Sequence, residues 1–280
     1  MRIVQYNSLL KKIKRIIYKA NFKLPEDIKK ALVKKRDIEE ERNRKILDLI
    51  IENFKYAEKN EVPLCQDTGM AVFFVEIGNE VKIKGGTIKE AVTQATKEVY
   101  SKYYLRKSVV NHPFIRKNTE NNTPPIIHFD TNKGDKIKIS FMPKGGGSEN
   151  MSKIKMFNPS AEKDEIVDFI FKTVKEAGPN PCPPIILGVG IGGTFDYAPY
   201  LAKKALLRSI GERNKDKEIA KLEEEITNKI NENSDVGIQG LGGKTTVLDT
   251  FIEIYPCHIA SLPVAVNINC HSARHAEVVI

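Results

Sequence analysis

A mixed α/β fold of the α+β kind, with helices packed around a mixed sheet in one large domain, is what the 280-residue sequence predicts. Three observations predict it. Segments with apolar residues at helical spacing alternate with short runs of strand type. No repeat, low-complexity linker or shift in composition marks a domain boundary, so residues 1–280 read as one domain. A chain that is 41% hydrophobic also has ample apolar surface for a core.

Taken in order, residues 1–60 read as helical. The start, MRIVQYNSLLKKIKRIIYKANF, is an amphipathic, lysine-rich pattern whose basic face is expected in solvent. Residues 38–54, IEEERNRKILDLIIENF, repeat apolar positions at helical spacing, with acidic side chains early, where the positive end of the helix dipole favours them. Residues 71–77 form an apolar β-type run. Helix returns over 87–104, with Thr87 as N-cap and Glu90 three residues on to complete a capping box. The stretch 106–125, RKSVVNHPFIRKNTENNTPP, is rich in turn formers and reads as loop.

Strands are predicted at 126–130 and 136–142, the alternation in IKISFM marking the second as half buried. KGGGSEN, 144–150, interrupts all periodicity. A helix then opens with Ser160 as N-cap and Glu162, Asp164 and Glu165 in its first turn, and stops at Gly178-Pro179. CPPIILGVGIGG, 182–193, is an apolar strand ending in glycines. Helices suit 196–209 and 218–232, and a last apolar stretch, 261–269, ends at Cys270.

The formal charge of +9 favours anionic partners in general. Basic residues are interleaved with acidic ones and not concentrated with aromatics, so no nucleic-acid partner is expected. No apolar run approaches the ~20 residues of a membrane span, and the N-terminus lacks a small-residue cleavage site. A soluble, cytoplasmic protein without membrane contact is therefore expected. Four cysteines, Cys65, Cys182, Cys257 and Cys270, are too few for a disulfide framework and include no CxxC pair.

Two familiar motifs fail on inspection. Gly188, Gly190 and Gly193 match the dinucleotide pattern G-x-G-x-x-G, but no acidic-ended strand follows at the required distance; close approach of backbone to a neighbouring strand or a ligand explains them better. Gly243-Lys244-Thr245 suggests a phosphate loop, yet Ile238 stands where its first glycine belongs. Gly145, Gly146 and Gly147 offer backbone N–H groups able to hold a carboxylate or phosphate.

Cys257 reads as buried filler. Cys65, Cys182 and Cys270 each lie at a break: before Asp-Thr-Gly, between prolines in Asn-Pro-Cys-Pro-Pro, and at the end of an apolar run. Prolines forbid regular helix around Cys182, leaving its thiol on a fixed irregular backbone, as cluster ligands often are. Metal ligation, catalysis and simple burial all remain compatible with these positions.

CQDTG, KGGGSEN, NPCPPIILGVGIGGTFDYA, LGGKTTVLD and HIASLPVAVNINC, in that order, resemble the class I fumarate hydratase and L(+)-tartrate dehydratase family, specifically its α subunit or N-terminal catalytic domain. The resemblance runs from about residue 10 to the C-terminus. It implies a [4Fe-4S] cluster held by Cys65, Cys182 and Cys270, one iron lacking a protein ligand, and Cys257 outside the set. Substrate contacts are implied for Gln66, Asp67, Arg106, Gly146 and His258, with Asp67 and His258 as catalytic residues. The implied reaction is the reversible hydration of fumarate to L-malate, as in the tricarboxylic acid cycle; the alternative is dehydration of L(+)-tartrate to oxaloacetate. Family members place the proton-removing base in a C-terminal domain, so the resemblance implies a separate β subunit, as an α2β2 heterotetramer. The loop at 107–125 departs from the fused members.

Overall fold

Two four-stranded mixed sheets and a small parallel ribbon organise the chain. The computed structural model describes residues 1–280 and shows the α+β class. It resolves into two compact units: Met1–Pro25, Phe54–Gly146 and Arg274–Ile280 in the first, Glu26–Asn53 and Gly147–Ala273 in the second. Each is assembled from separated segments, so there is no linker for the sequence to display.

In the first unit, β2 (Met70–Gly78) runs parallel to β4 (Ile126–Asn132) and antiparallel to β5 (Ile137–Lys144), and β5 takes β10 (Ala276–Val279) on its other edge. Residues 71–75 are buried at every position, as a strand covered on both faces requires. Phe73 joins the main core beside Phe141, ring centroids 4.9 Å apart, while Phe74 stacks on His128 at 5.0 Å. Two helices supply the rest of that core. In α1 (Tyr6–Phe22), Leu9, Ile13, Ile16, Ile17 and Ala20 form one stripe, each large side chain contributing about 1.5–3 kcal/mol by leaving water. In α4 (Ile88–Lys102), the capping box is present: Glu90 N–H donates to Thr87 Oγ1 at 3.2 Å, and Thr87 N–H to Glu90 Oε2 at 2.8 Å. The ribbon pairs β1 (Arg2–Gln5) with β3 (Val81–Lys84). Four residues each, with charges among them, are too short to show a period.

The second sheet has the order β6 (Lys153–Phe157), β9 (Leu262–Asn269), β7 (Ile185–Gly192), β8 (Val247–Tyr255). Its main core is closed by α6 (Lys163–Ala177) and α8 (Lys217–Asn233). Against β7 lies α7 (Tyr197–Ala205). An ideal Cβ on Gly188 would stand 2.0 Å from Ala202 O, and one on Gly190 2.1 Å from Ala198 O. The G-x-G pattern therefore serves close approach of a helix to the strand, and not of a neighbouring strand or a ligand as the sequence suggested.

Several boundaries differ from the sequence reading: residues 2–5, read within a helical start, form β1, and the helix expected over 196–209 stops at Ala205. Residues 38–54 are not one helix: α2 (Glu26–Ile38) ends and α3 (Glu41–Asn60) begins beyond Glu39, whose buried carboxylate accepts the Lys244 N–H at 3.0 Å. Ser160 does not cap α6. It donates N–H and Oγ–H to Asn158 Oδ1 at 3.0 and 2.9 Å in a preceding turn, and the N-cap is Glu162, whose N–H donates to Glu165 Oε1. The helix does stop at Gly178, φ +54°.

The strand β8 went unread because Asp249 and Glu253 break its apolar pattern. Both carboxylate oxygens of Asp249 accept from Arg213 Nη2, at 2.6 and 2.7 Å. Glu223 of α8, fully buried, accepts from Arg208 at 2.7 Å and from the β8 amide of Ile252 at 2.8 Å. No helix is long and apolar enough to cross a membrane.

Candidate active site

The loop Cys65-Gln66-Asp67-Thr68-Gly69 joins α3 to β2 and is tied down at nearly every residue. The Asp67 carboxylate accepts Gly69 N–H through Oδ1 at 3.0 Å and Gly146 N–H through Oδ2 at 2.7 Å. Its own carbonyl accepts from Arg274 Nη2 at 2.6 Å. Thr68, buried, donates its hydroxyl to Arg106 O at 2.7 Å and accepts the Tyr100 hydroxyl on its carbonyl at 2.7 Å. Gly69 has φ +60°, and a Cβ there would stand 2.3 Å from Lys144 O, so only glycine allows β2 to enter beside β5.

These bonds fix the backbone and leave two side chains at the surface. Gln66 is exposed and Cys65 partly buried, the thiol lying 3.6 Å from Gln66 Oε1. Arg106 is exposed too, its backbone held by Thr68. Asn122, fully buried in the 106–125 loop, donates to Gly69 O at 3.1 Å and accepts from Ser108 N–H at 2.7 Å. Burial raises the Tyr100 hydroxyl's pKa, an effect partly offset by the neighbouring Arg274 cation.

In the second unit, Cys182 is exposed and adopts φ +55°, a left-handed conformation uncommon for a residue with a side chain. His271 holds it there. Its Nδ1 lies 2.9 Å from Cys182 O and its backbone N–H donates to the same oxygen at 3.4 Å. The adjacent carbonyl, Pro183 O, accepts from Gln239 N–H at 2.9 Å and from its Nε2 at 2.5 Å. Since His271 follows Cys270 directly, the segments bearing Cys182 and Cys270 are stitched together. Cys270 is partly buried just past the end of β9.

His258 sits in an exposed loop between β8 and β9, its Nδ1 accepting Ala260 N–H at 3.1 Å. Cys257, expected to be buried, is exposed in that same loop because β8 ends at Tyr255 and Pro256 follows. No disulfide joins any of the four cysteines.

Within the first unit, then, Cys65, Gln66, Asp67, Arg106 and Gly146 share one hydrogen-bonded loop assembly. Within the second, Cys182 and Cys270 are linked through His271, with His258 on a separate loop. The Gly146 N–H, read as a substrate contact, is taken by Asp67. Sequence reasoning missed Tyr100, Asn122, Gln239, His271 and Arg274. Only His271, beside a cysteine already singled out, carried a local signal.

Comparison with known proteins places this chain, with its thiol-and-amide loop and its α+β frame of two mixed sheets, in the fumarate hydratase (Fumerase) family. The model of that family matches residues 10–279, and the chain belongs to it. It is 49% identical over 266 residues to a protein of Methanocaldococcus jannaschii named "Putative L(+)-tartrate dehydratase subunit alpha", with 90% of each chain covered. It is also similar to L(+)-tartrate dehydratase subunit alpha of Escherichia coli O157:H7, 30% identical over 262 residues, with 92% of this chain and 86% of the relative covered. The subunit of the same name from strain K12 is 29% identical with the same coverage.

Proposed function

We propose that this chain is the α subunit of an iron–sulfur hydro-lyase that hydrates fumarate to L-malate reversibly, its site completed by a separate β subunit in an α2β2 assembly. The observation that carries this reading is the set of thiols on irregular backbone: Cys65 in its clamped loop, Cys182 at φ +55°, Cys270 just past β9. They are soft ligands, not cross-linked, Cys182 exposed and the other two partly buried, and their chemistry suits a [4Fe-4S] cluster with one iron free of protein ligands. Cys257 lies outside the proposed set. When bound, such a cluster supplies a Lewis acid that polarises the C–O bond of the hydroxy acid.

The chain's own residues have separate tasks in this reading. Arg106 offers a planar fork suited to a substrate carboxylate. Gln66, next to the first thiol, and His258 contact the substrate. Asp67 keeps the 65–69 loop in shape through its two N–H acceptor bonds and is proposed to touch substrate from there. Gly146 is proposed to lie against the substrate beside it, with its N–H held by Asp67. The base that removes the C3 proton is assigned to the β subunit.

L(+)-tartrate is the second reading, favoured by the names of the relatives above. Anaerobic co-production with the β subunit, followed by iron and sulfide quantitation and parallel assays with malate and tartrate, tests both. Ser replacement at Cys65, Cys182 or Cys270 is expected to strip iron and turnover, whereas Cys257→Ser keeps both. Full iron and turnover after any of the first three replacements would overturn the reading.

A further inference from the structure

Only two charged side chains of the first unit are fully buried, Lys144 and Arg274, each 3% exposed, and both are cations. Arg274 bonds Asp67 O through Nη2 at 2.6 Å. Its Nε and Nη1 are shut off from solvent and meet no acceptor in the chain. A guanidinium stays charged at any working pH, and stranded donors in the interior are costly. Such an arrangement persists where position and charge are both wanted.

The position is specific. Arg274 holds the Asp67 carbonyl and Tyr100 holds the next one, Thr68 O, at 2.7 Å. Two consecutive carbonyls of the cysteine-bearing loop are thus gripped by side chains from the C-terminal segment and from α4. The Asp67 carboxylate is the nearest opposite charge on that loop, and its two oxygens already serve Gly69 and Gly146. With Nη2 given to a carbonyl and Nε and Nη1 meeting no acceptor, the guanidinium charge stands without a carboxylate bonded to it.

We infer that Arg274 is a positioning residue for the 65–69 loop: it locks the Asp67 carbonyl and sets a positive charge behind the loop that favours an anionic occupant. The nature of that occupant, a dicarboxylate dianion, rests on the hydro-lyase reading; the lock does not. A flat carboxylate arriving at a loop already rigid and electropositive loses less ordering entropy on binding.

Arg274→Met and Arg274→Lys test this. In the metal-free chain, amide hydrogen exchange at residues 66–69 is expected to quicken about ten-fold to a hundred-fold in Arg274→Met, the range that a lost charged hydrogen bond predicts. Exchange in the centre of β2 stays unchanged, and Arg274→Lys falls between. In the anaerobic complex with the β subunit, Arg274→Met raises KM about ten-fold with a smaller fall in kcat, and Arg274→Lys restores most of KM because the charge remains. Unchanged exchange at 66–69 in folded Arg274→Met overturns the lock, and equal KM in the Lys and Met variants overturns the role of charge. If Arg274→Met does not fold, Arg274→Lys decides alone: exchange at 66–69 as slow as in the wild type overturns the lock, and a KM raised about ten-fold overturns the role of charge. A wild-type complex lacking iron or turnover would count against the hydro-lyase reading and leave the exchange result to judge Arg274.

Discussion

Asp67 Oδ2 accepts the Gly146 N–H at 2.7 Å, so one carboxylate oxygen fastens the cysteine-bearing loop to the chain just past β5. Its other oxygen closes a tight turn on Gly69. Asp67→Ala removes both bonds and is expected to lower stability by about 2 kcal/mol or more, since each is a bond to a charged acceptor. Asp67→Asn keeps one acceptor oxygen and loses less. Urea unfolding of the two variants beside the wild type checks the order; equal midpoints for all three would refute it.

The N-terminus of α4 gives a smaller and pH-dependent effect. Thr87→Ala should cost about 1 kcal/mol in urea unfolding, as for other N-cap losses. Bonds from Thr87, its N–H first and its hydroxyl second, hold the Glu90 carboxyl below its usual pKa. A depressed folded pKa means that the Glu90 contribution is present above the ordinary carboxylate range and is lost as pH falls through the lowered value. The stability gap between wild type and Glu90→Gln should therefore close on acidification. A gap that widened toward low pH would contradict the box.

Glu223 carries a heavier load. It is fully buried, bonds Arg208 and Ile252 N–H, and ties α8 to β8. Glu223→Ala leaves Arg208 beside a cavity with its main partner gone, and a loss of about 3–5 kcal/mol is expected. A thermal midpoint within a degree or two of wild type would show that solvent relieves the cation.

Gly188→Ala should fail more abruptly, because the added carbon would meet backbone and not a movable side chain: Ala202 O, 2.0 Å away. β7 and α7 must separate to admit it. Soluble yield and thermal midpoint report this directly, and a well-folded variant would mean that α7 shifts freely.

Long helices and the apolar strands β2, β7 and β9 were legible in the sequence because their periods extend over enough residues to show. Thr87 and Glu90 gave their cap away by spacing alone. The strands β1, β3, β6 and β10 are four or five residues long and too short for any period to stand out. β8 is disguised by Asp249 and Glu253, whose charges are compensated by arginines far away in sequence. At the α6 start, Ser160 and Glu162 both fit a cap by composition, and only geometry separates them. The candidate site divides the same way. Cys65, Gln66 and Asp67 announce themselves as neighbours, whereas Tyr100, Asn122 and Arg274 grip that loop from positions with no local pattern. A buried guanidinium has no spacing rule.

The sheet of the first unit has its edge strand at the far end of the chain. Ile280 and Ile137 exchange backbone N–H···O bonds at 2.8 and 3.0 Å, next to the β10–β5 pairing. A ribosome makes Cys65 early, yet neither that edge nor the Arg274 clamp exists until residues 274–280 have been translated. The nascent first unit must wait, incomplete, while the whole of the second is synthesised. A finished, rigid loop at Cys65 accordingly exists only once residues 274–280 have been made.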